Sequence, residues 1–425
     1  MLINLLKYYI SLYFWDLASI NAVKKMQVRK FRKIFEYAGQ NSKFYKEFYG
    51  DHGVLNLKIE SFEDIRKVPI TRKTNLRQYP FRDIITCNID DKINIHSTSG
   101  STGEPFNIAY NKFEDYSSHI RLTKALIDNG YNPFRKGLLL SRYEPGHMFE
   151  VEQDIKQIGY LQKKLGLFSY EVISIFEPVE EIIQKLETVK PFIVWSTPSV
   201  IEIVALELKK INRKLKIPLV LLMAETISPA LIQLIKERIG LNFIDSYGCM
   251  EMPCLGYGIN QTESKKIFSN SVLVEVINER TLLDEKVGDI VITNLINHTM
   301  PFIRFDLGDY VNLMDDKNFP QKKIGRLYGR SEDLINLGDL TIAFHHTYQL
   351  FHDFQECEQY KLIQKASGDL FLQLRVCESC NKEEVRKKVL ERWGKKYPNL
   401  PVTIEWVDHF PINKKTGKFK VIEKL

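Results

Sequence analysis

The sequence is short of the features that mark several specialised classes of protein. It has six cysteines in 425 residues, too few for a disulfide scaffold, and no secretory signal with a small-residue cleavage site. We therefore expect a reducing, cytoplasmic setting. Cys377 and Cys380 have the spacing of a metal or redox pair. The sequence has no second pair to complete a tetrahedral zinc site, so we expect no metal there.

A strong bias of charge is also missing. The net charge is +7, and no compact run holds five or more basic residues. A lysine-rich solvated surface is therefore favoured over a nucleic-acid partner. Apolar residues make up 44% of the chain and charged residues 27%, which is an ordinary globular mixture. At roughly 150 residues per domain, the length predicts roughly two to four folding units.

Long uncharged apolar runs are absent too. Residues 1–20 are rich in leucine, isoleucine and aromatic residues, but Lys7 and Asp16 interrupt them. A membrane-spanning helix needs about 20 largely apolar residues. We expect instead an aromatic amphipathic helix that packs on the protein itself or on a second subunit of a homodimer. The alternative is a peripheral contact with the inner face of a membrane.

What the sequence does contain is an alternation of hydrophobic periods between Glu177 and Ser246. Apolar residues at helical spacing predict helices, and the short apolar runs between them predict buried strands at 191–195, 219–223 and 241–244. Ser228 followed by Pro229 is typical of a helix start. This order predicts parallel βαβ units, so the large N-terminal part is assigned to the α/β class.

From about Gly325 the pattern changes to short mixed strands, a charged helix around residues 381–396 and a lysine-rich end. This change predicts a separate, smaller α+β domain. We divide the chain into a large domain, residues 1–327, and a small C-terminal domain, residues 328–425.

One loop is dense in hydrogen-bond donors; it consists of Thr98, Ser99, Gly100, Ser101, Thr102 and Gly103. Glycine amides and hydroxyl groups can wrap an anion, because no Cβ blocks the approach of the backbone. It is not a Walker A loop, since no Gly-Lys-Ser/Thr ends it. Taken alone, the loop is better interpreted as a plain turn.

Further segments follow this loop in order along the chain: Asp245–Glu251, Pro301–Asp309, Gly329–Gly338 and Thr416–Lys418. Tyr247 and Glu251 follow the third predicted strand. They supply a stacking face and a metal-binding carboxylate where open α/β sheets bind ligands. Asp309 is an acid suited to a ribose diol. Each segment by itself is more often structural than functional.

Together and in this order, the segments resemble the AMP-forming (adenylate-forming) ligases, over about Ser97 to Lys420. Within that superfamily the chain is most similar to the phenylacetate–CoA ligase and CapK-like capsule-biosynthesis branch. The residues that carry this likeness are Tyr37–Tyr45, Val68–Lys73 and the ending Gly417–Ile422. The resemblance implies a mobile C-terminal domain, with ATP and Mg²⁺ as cofactors and CoA as one acceptor.

The resemblance also implies roles for individual residues. Thr98–Gly103 would cradle the phosphates of ATP, and Glu251 would hold Mg²⁺. Lys418 would be the catalytic lysine. The other residues assigned to ATP are Ser246, Tyr247, Gly248, Asp309 and Arg330. The hinge of the small domain is assigned to Glu332 or Asp333. Residues at the ends of buried strands line an acyl pocket or belong to the ordinary core: Trp195, Met223, Ala224 and Glu225.

Three motifs depart from the pattern of that superfamily. Glu104 stands where many relatives have lysine, Met250 stands where they have serine or threonine, and Asp306–Leu307 replaces a common Arg-Thr. Each change lowers the positive charge or the hydrogen bonding near ATP. Adenylation is therefore a firmer expectation than ordinary transfer to CoA.

The function expected is activation of a small carboxylic acid as acyl-AMP, followed by transfer to CoA or to an amine of a sugar or amino acid. One alternative is a nucleotide-binding, catalytically weak partner of a polysaccharide-biosynthesis assembly. Another is transfer to a protein thiol, with Cys249 and Cys254 as the candidates.

Overall fold

The computed structural model describes these residues: 1–89, 93–97, 106–141, 168–282, 285–312, 322–330, 334–338, 340–351, 354, 356–377, 379–410 and 419–425. Their backbone divides into two compact units. The first comprises Met1–Gly130, Ser246–Gly258 and Thr262–Leu327, and the second comprises Tyr131–Asp245, Ile259–Gln261 and Tyr328–Leu425. The predicted division into residues 1–327 and 328–425 stays a prediction.

The helices described in the first unit are α1 (Leu2–Leu17), α2 (Ile20–Asn41), α3 (Lys43–Asp51), α4 (Phe62–Lys67), α5 (Lys73–Leu76), α6 (Phe81–Ile84) and α7 (Lys112–Asp128). Those of the second unit are α8 (Val179–Val189), α9 (Pro198–Lys210), α10 (Pro229–Leu234), α11 (Phe344–Phe351) and α12 (Lys382–Lys396). Among the residues that the structure describes, no helix combines the length and the apolar character that crossing a bilayer requires.

The strands, in chain order, are β1 (Ile93–Ser97), β2 (Asn107–Asn111), β3 (Gly137–Ser141), β4 (Tyr170–Ser174), β5 (Ile193–Ser196), β6 (Ile217–Met223), β7 (Gly240–Cys249), β8 (Met252–Ile259), β9 (Ser264–Ile267), β10 (Val272–Leu282), β11 (Glu285–Asn294), β12 (Phe305–Asn312), β13 (Lys323–Gly325), β14 (Leu327–Arg330), β15 (Ile335–Leu337), β16 (Leu340–Ile342), β17 (Cys357–Gln364), β18 (Leu370–Val376), β19 (Thr403–Trp406) and β20 (Ile422–Lys424).

The first unit is built from its N-terminal helices and antiparallel strands. Ser19 and Ser42 cap α2 and α3 with their side-chain oxygens, because the first amides of a helix have no partner within it. The strands β10, β11 and β12 form an antiparallel sheet. Aromatic and aliphatic side chains of α2 and α3 are buried in one cluster with those of β10 and β11.

The second unit contains the predicted α/β core. The strands β4, β3, β5 and β6 lie side by side in that order and run parallel, and β7 follows β6. Apolar residues of α8 and α9 pack on these strands. The βαβ order predicted from the hydrophobic periods is confirmed, and so is the α/β class.

The helix that begins at Pro229 agrees with its prediction at the start and differs at the end. Ser228 accepts a hydrogen bond from the amide of Leu231 at 3.1 Å, as an N-cap does. The predicted α-helix gives way to a π-helical segment over Ile235–Ile239, and both end residues of that segment are buried. Gly240 then opens β7, where a Cβ would lie 2.0 Å from the carbonyl oxygen of Ile217 on β6.

The C-terminal part of the second unit has its own small sheet. Its strand order is β19, β18, β17, β20, with β17 and β18 antiparallel and the outer strands parallel to their neighbours. Buried residues of α12 pack against it. Cys377 and Cys380 form a disulfide here.

A buried ion pair holds three segments of the first unit together. Arg304 has a positive φ of 45°. Its guanidinium donates to both carboxylate oxygens of Glu275 on β10, at 2.9 and 3.0 Å. It also donates to the carbonyl oxygens of Arg66 and Val68. The two charged side chains are nearly inaccessible to water, so the pairing and the backbone bonds must offset their desolvation.

Replacing Arg304 by methionine is expected to lower the free energy of unfolding by about 3–5 kcal/mol, because Glu275 would remain as an unpaired buried charge. The control is Arg213→Met, which breaks the solvent-exposed pair of Arg213 with Glu187 and should cost less than about 1 kcal/mol. Urea unfolding followed by fluorescence measures both. Equal, small losses would show that the buried pair does not hold the segments together.

Candidate active site

The turn from β7 to β8 places several of the predicted ATP-binding residues side by side. Ser246 and Tyr247 are buried near the end of β7. The next residue, Gly248, lies so close to the following strand that a Cβ would meet the amide nitrogen of Cys254 at 2.6 Å. Only glycine fits there without moving the backbone. The predicted metal ligand Glu251 lies in the same turn and is 4% exposed.

Tyr247 and Asp309, predicted to bind different parts of the nucleotide, contact each other. The phenol of Tyr247 donates a hydrogen bond to Asp309 Oδ2 at 2.7 Å. This bond orients the carboxylate. A carboxylate has about four lone-pair positions, so the one hydrogen bond from Tyr247 does not by itself exhaust what Asp309 can accept.

The turn before Asp309 is held by an acid that departs from the family pattern. Asp306 Oδ1 accepts from the amide of Gly308 at 2.9 Å, where Gly308 has a positive φ of 71°. The other oxygen of Asp306 is 3.3 Å from Nε of Arg72. Asp306 therefore stabilises the turn and pairs with the positive charge of Arg72, which lies far away in the sequence.

Glu251 is paired with a lysine from the N-terminal part of the chain. Nζ of Lys73, the first residue of α5, lies 3.0 Å from Glu251 Oε1. The same Nζ lies 5.4 Å from the ring centre of Phe106, within the range of a cation–π contact. The backbone oxygen of Glu251 accepts from Asn294 at 2.9 Å. The carboxylate is thus fixed in place and faces a cation.

The thiols near this turn are poor nucleophiles. Burial, with repulsion from Glu251, raises the pKa of the Cys249 thiol well above its usual range. Burial also raises the pKa of Cys254 to about 11. The thiolate is the reactive form of cysteine, so both side chains are held in their unreactive state.

In the second unit, three of the residues assigned to an acyl pocket lie at the ends of β5 and β6. The indole nitrogen of Trp195 donates to the sulfur of Met223 at 2.9 Å, and Trp195 meets Tyr170 edge-on. Ala224 has a positive φ of 71°, which is unusual for a residue with a Cβ and is common at functional sites.

Glu225, the fourth residue assigned to the pocket, binds backbone amides. Its carboxylate accepts from the amide and the hydroxyl of Ser199 at 2.9 and 3.0 Å. Ser199 lies in the first turn of α9, where amides lack partners and negative charge is stabilising. Glu225 Oε1 also accepts from the amide of Phe419 at 3.3 Å. Phe419 directly follows the predicted catalytic Lys418.

The remaining predicted site residues are less informative. Arg330 is exposed at the end of β14. The phosphate loop Thr98–Gly103, the hinge residues Glu332 and Asp333, and Lys418 lie outside the described residues. Within the described part of the chain, no three His, Cys, Asp or Glu side chains are placed to share a metal ion.

Sequence reasoning missed the two cations that the structure places at the site, Arg72 and Lys73. Both belong to the segment Val68–Lys73, which carried part of the family resemblance but was given no role. The sequence did carry a signal, since Arg72 and Lys73 are the last two residues of a motif that resembles the family. Nothing local to them indicates that their partners lie more than 170 positions later, at Glu251 and Asp306.

Known proteins resemble this chain in sequence and in fold. Phenylacetate-coenzyme A ligase of Pseudomonas putida is 25% identical over 342 residues, which cover 75% of this chain and 73% of that protein. Protein CapK of Staphylococcus aureus is 21% identical over 386 residues, covering 88% of this chain and 83% of CapK. The solved structure of 2-hydroxyisobutyryl-CoA ligase in the postadenylation state superposes with a TM-score of 0.74 at 18% identity, covering 95% and 89% of the two chains.

The chain is an AMP-forming ligase. It is a relative of the phenylacetate–CoA ligases, as its motifs indicate. No protein-family profile matches it. Its turns at Glu251 and Asp306 receive positive charge from the N-terminal part of the chain, because Lys73 pairs with Glu251 and Arg72 pairs with Asp306.

One titratable group lies where α9 meets the small C-terminal sheet of this AMP-forming ligase. Gln359 Nε2 on β17 donates to Glu202 Oε2 at 2.9 Å. Burial, with added repulsion from Glu225, raises the pKa of the Glu202 carboxyl to about 7, against the opposing effect of the Gln359 hydrogen bond.

Glu202→Gln should stabilise the protein above pH 7 and leave its stability unchanged near pH 4. As the pH rises from 4.5 to about 7, the unfolded chain ionises at Glu202 before the folded chain does, so the wild type loses stability across that window. The expected gain above it is about 1–3 kcal/mol. Thermal unfolding across pH measures it, with the exposed Glu180→Gln as the control. A gain that does not vary with pH would contradict the assignment.

Proposed function

We propose that this ligase activates a small carboxylic acid with ATP and passes the acyl group to CoA. In the first step, a carboxylate oxygen attacks the α-phosphorus of ATP, giving acyl-AMP and pyrophosphate. In the second, the CoA sulfur attacks the acyl carbon and AMP leaves. The observation that carries the proposal is the turn from β7 to β8, where Tyr247 holds Asp309 and Lys73 holds Glu251. The CoA-ligase relatives support it.

Each residue of this turn has a proposed role. Asp309, oriented by the Tyr247 phenol, accepts hydrogen bonds from the ribose hydroxyls. Ser246 and Gly248 line the nucleotide, and glycine at position 248 lets the backbone come close. Thr98–Gly103 cradle the phosphates, with Arg330 as a further nucleotide contact. Glu332 or Asp333 acts as the hinge, and Lys418 supplies positive charge at the reacting α-phosphate.

Mg²⁺ fits the residues at Glu251. Magnesium in proteins is usually held by one or two carboxylates together with substrate phosphates. Glu251 is a buried carboxylate that can hold a cation, and in this structure the cation it pairs with is the Nζ of Lys73. When bound, Mg²⁺ would neutralise phosphate charge.

The contact between Glu225 and Phe419 supports the role of Lys418. Phe419 is bound through its amide to the carboxylate that caps α9, next to Ala224 at the end of β6. The residue before it in sequence is Lys418. Phe419 therefore lies at the carboxyl end of the parallel sheet, where open α/β sheets bind ligands.

An amine is the second candidate acceptor. The likeness to protein CapK covers more of the chain than that to phenylacetate-coenzyme A ligase, and the departures at Glu104, Met250 and Asp306 remove features of ordinary relatives. On this proposal the acyl group forms an amide on a sugar or amino acid of a polysaccharide precursor. A protein thiol is disfavoured, because burial keeps Cys249 and Cys254 protonated. A cytoplasmic location belongs to the same proposal.

Adenylation is tested by exchange of labelled pyrophosphate into ATP with Mg²⁺ and a panel of carboxylic acids. At least one acid should support exchange in the wild type. Glu251→Gln should reduce that exchange about a hundredfold, because it removes the charged ligand proposed to hold the Mg²⁺ that neutralises the phosphates. Glu263→Gln, on an exposed side chain, is the matched control. Lys418→Ala should also lose exchange.

Nucleotide binding without exchange for any acid would favour the catalytically weak partner instead.

The acceptor is tested by following AMP release after the acid has been found. With CoA as the acceptor, adding CoA should release AMP in steady turnover and yield a thioester that mass spectrometry detects. With an amine as the acceptor, CoA should leave the acyl-AMP intact, and an amino sugar or amino acid should release AMP with an amide product. Turnover with CoA alone would remove the amine proposal.

A further inference from the structure

Helix α1 has two apolar faces, and only one of them is packed against the protein. Leu5, Tyr8 and Leu12 point inward and are buried. The opposite face is exposed and consists of Leu2, Ile3, Leu6, Ile10, Phe14 and Leu17, with exposed fractions from 58% to 89%. At 100° per residue these six span one continuous stripe. A surface helix normally places polar residues on this side, so the stripe needs a partner.

The stripe cannot turn inward, because α1 is fixed on its other side. The Tyr8 phenol bonds to Ser271 and accepts from Arg121, at 2.6 and 2.9 Å. Near the end of the helix, Asp16 Oδ2 accepts from Lys124 and Lys266 at 2.7 and 2.6 Å. These buried and half-buried bonds hold α1 against α7 and leave the six apolar side chains facing solvent.

The N-terminal segment that contains the stripe is basic. The first 33 residues contain seven lysines and arginines and one acid. That acid is Asp16, which is already paired with Lys124 and Lys266. The exposed cations of this region are Lys7, Lys25, Arg29, Arg32 and Lys33. Lys7 borders the stripe directly, four positions after Ile3.

We propose that the exposed face of α1 docks on an anionic lipid surface. An apolar stripe beside basic side chains is the pattern of helices that lie in the plane of a membrane interface, and aromatic residues such as Tyr9, Tyr13 and Trp15 are enriched at that depth. The 16 residues of α1 extend about 24 Å. This is shorter than the hydrocarbon core, so the helix lies on the bilayer and does not cross it.

A second copy of this chain fits the stripe less well. In a symmetric dimer the same patch faces itself, so the basic residues of one subunit would meet those of the other. An anionic lipid surface has the complementary charge. The proposal goes beyond the enzyme's activity: it places the ligase beside a membrane, whatever acid it activates.

The test is co-sedimentation of the full chain with vesicles of phosphatidylcholine that contain phosphatidylglycerol. Wild-type protein should bind these vesicles, bind pure phosphatidylcholine less, and bind more weakly as salt is raised. Leu6→Glu with Ile10→Glu should lower binding about tenfold or more, since buried apolar area drives it. The matched control is Phe134→Glu with Leu241→Glu, two exposed apolar residues elsewhere, and should bind as the wild type does.

Pyrophosphate exchange and thermal midpoints of all variants separate docking from folding and from the proposed activity. Leu6→Ser with Ile10→Ser gives a second, uncharged variant. Binding that falls in both α1 variants, with folding intact, supports the proposal even if no acid is activated. It is overturned if the α1 variants bind as well as the wild type or the control pair loses equally. A wild-type dimer that ignores vesicles and becomes monomeric in the α1 variants would assign the stripe to a second copy.

Discussion

The buried pair of Arg304 with Glu275 is the constraint on which the first unit depends. Arg304 has a positive φ and lies in the segment that leads to Asp309. Its guanidinium joins that segment to strand β10 and to the carbonyl oxygens of Arg66 and Val68. A desolvated guanidinium needs nearly all its donors used. Because the same side chain meets three segments, it sets the distance between the N-terminal motif and the turn that presents Asp309.

That constraint explains how the site obtains positive charge. The segment that Arg304 holds at Val68 continues directly to Arg72 and Lys73, which pair with Asp306 and Glu251. Arg72 and Lys73 thereby bring two positive charges to the turns that hold Asp306 and Glu251.

Much of the fold follows from local pattern, because its elements have a simple hydrophobic period. The strands and helices between Glu177 and Ser246 were predictable in type and order, and Ser228 marked its helix start. The π-helical segment at Ile235–Ile239 was not, since an apolar stripe at helical spacing does not separate an α-helix from a π-helix. The outward face of α1 was also ambiguous: its residues are apolar all round, and only packing against α7 shows which side is left exposed.

The sequence alone determined the α/β class, the order of the motifs and the family they indicate, because hydrophobic period and motif spacing are properties of neighbouring residues. Only the tertiary structure decided which side chains meet. Tyr247 binds Asp309, Lys73 binds Glu251, and Glu225 caps α9 where the sequence suggested an acyl pocket. Each pairing joins residues from separate segments, and their distance depends on strand order, strand register and a buried ion pair that no local pattern contains.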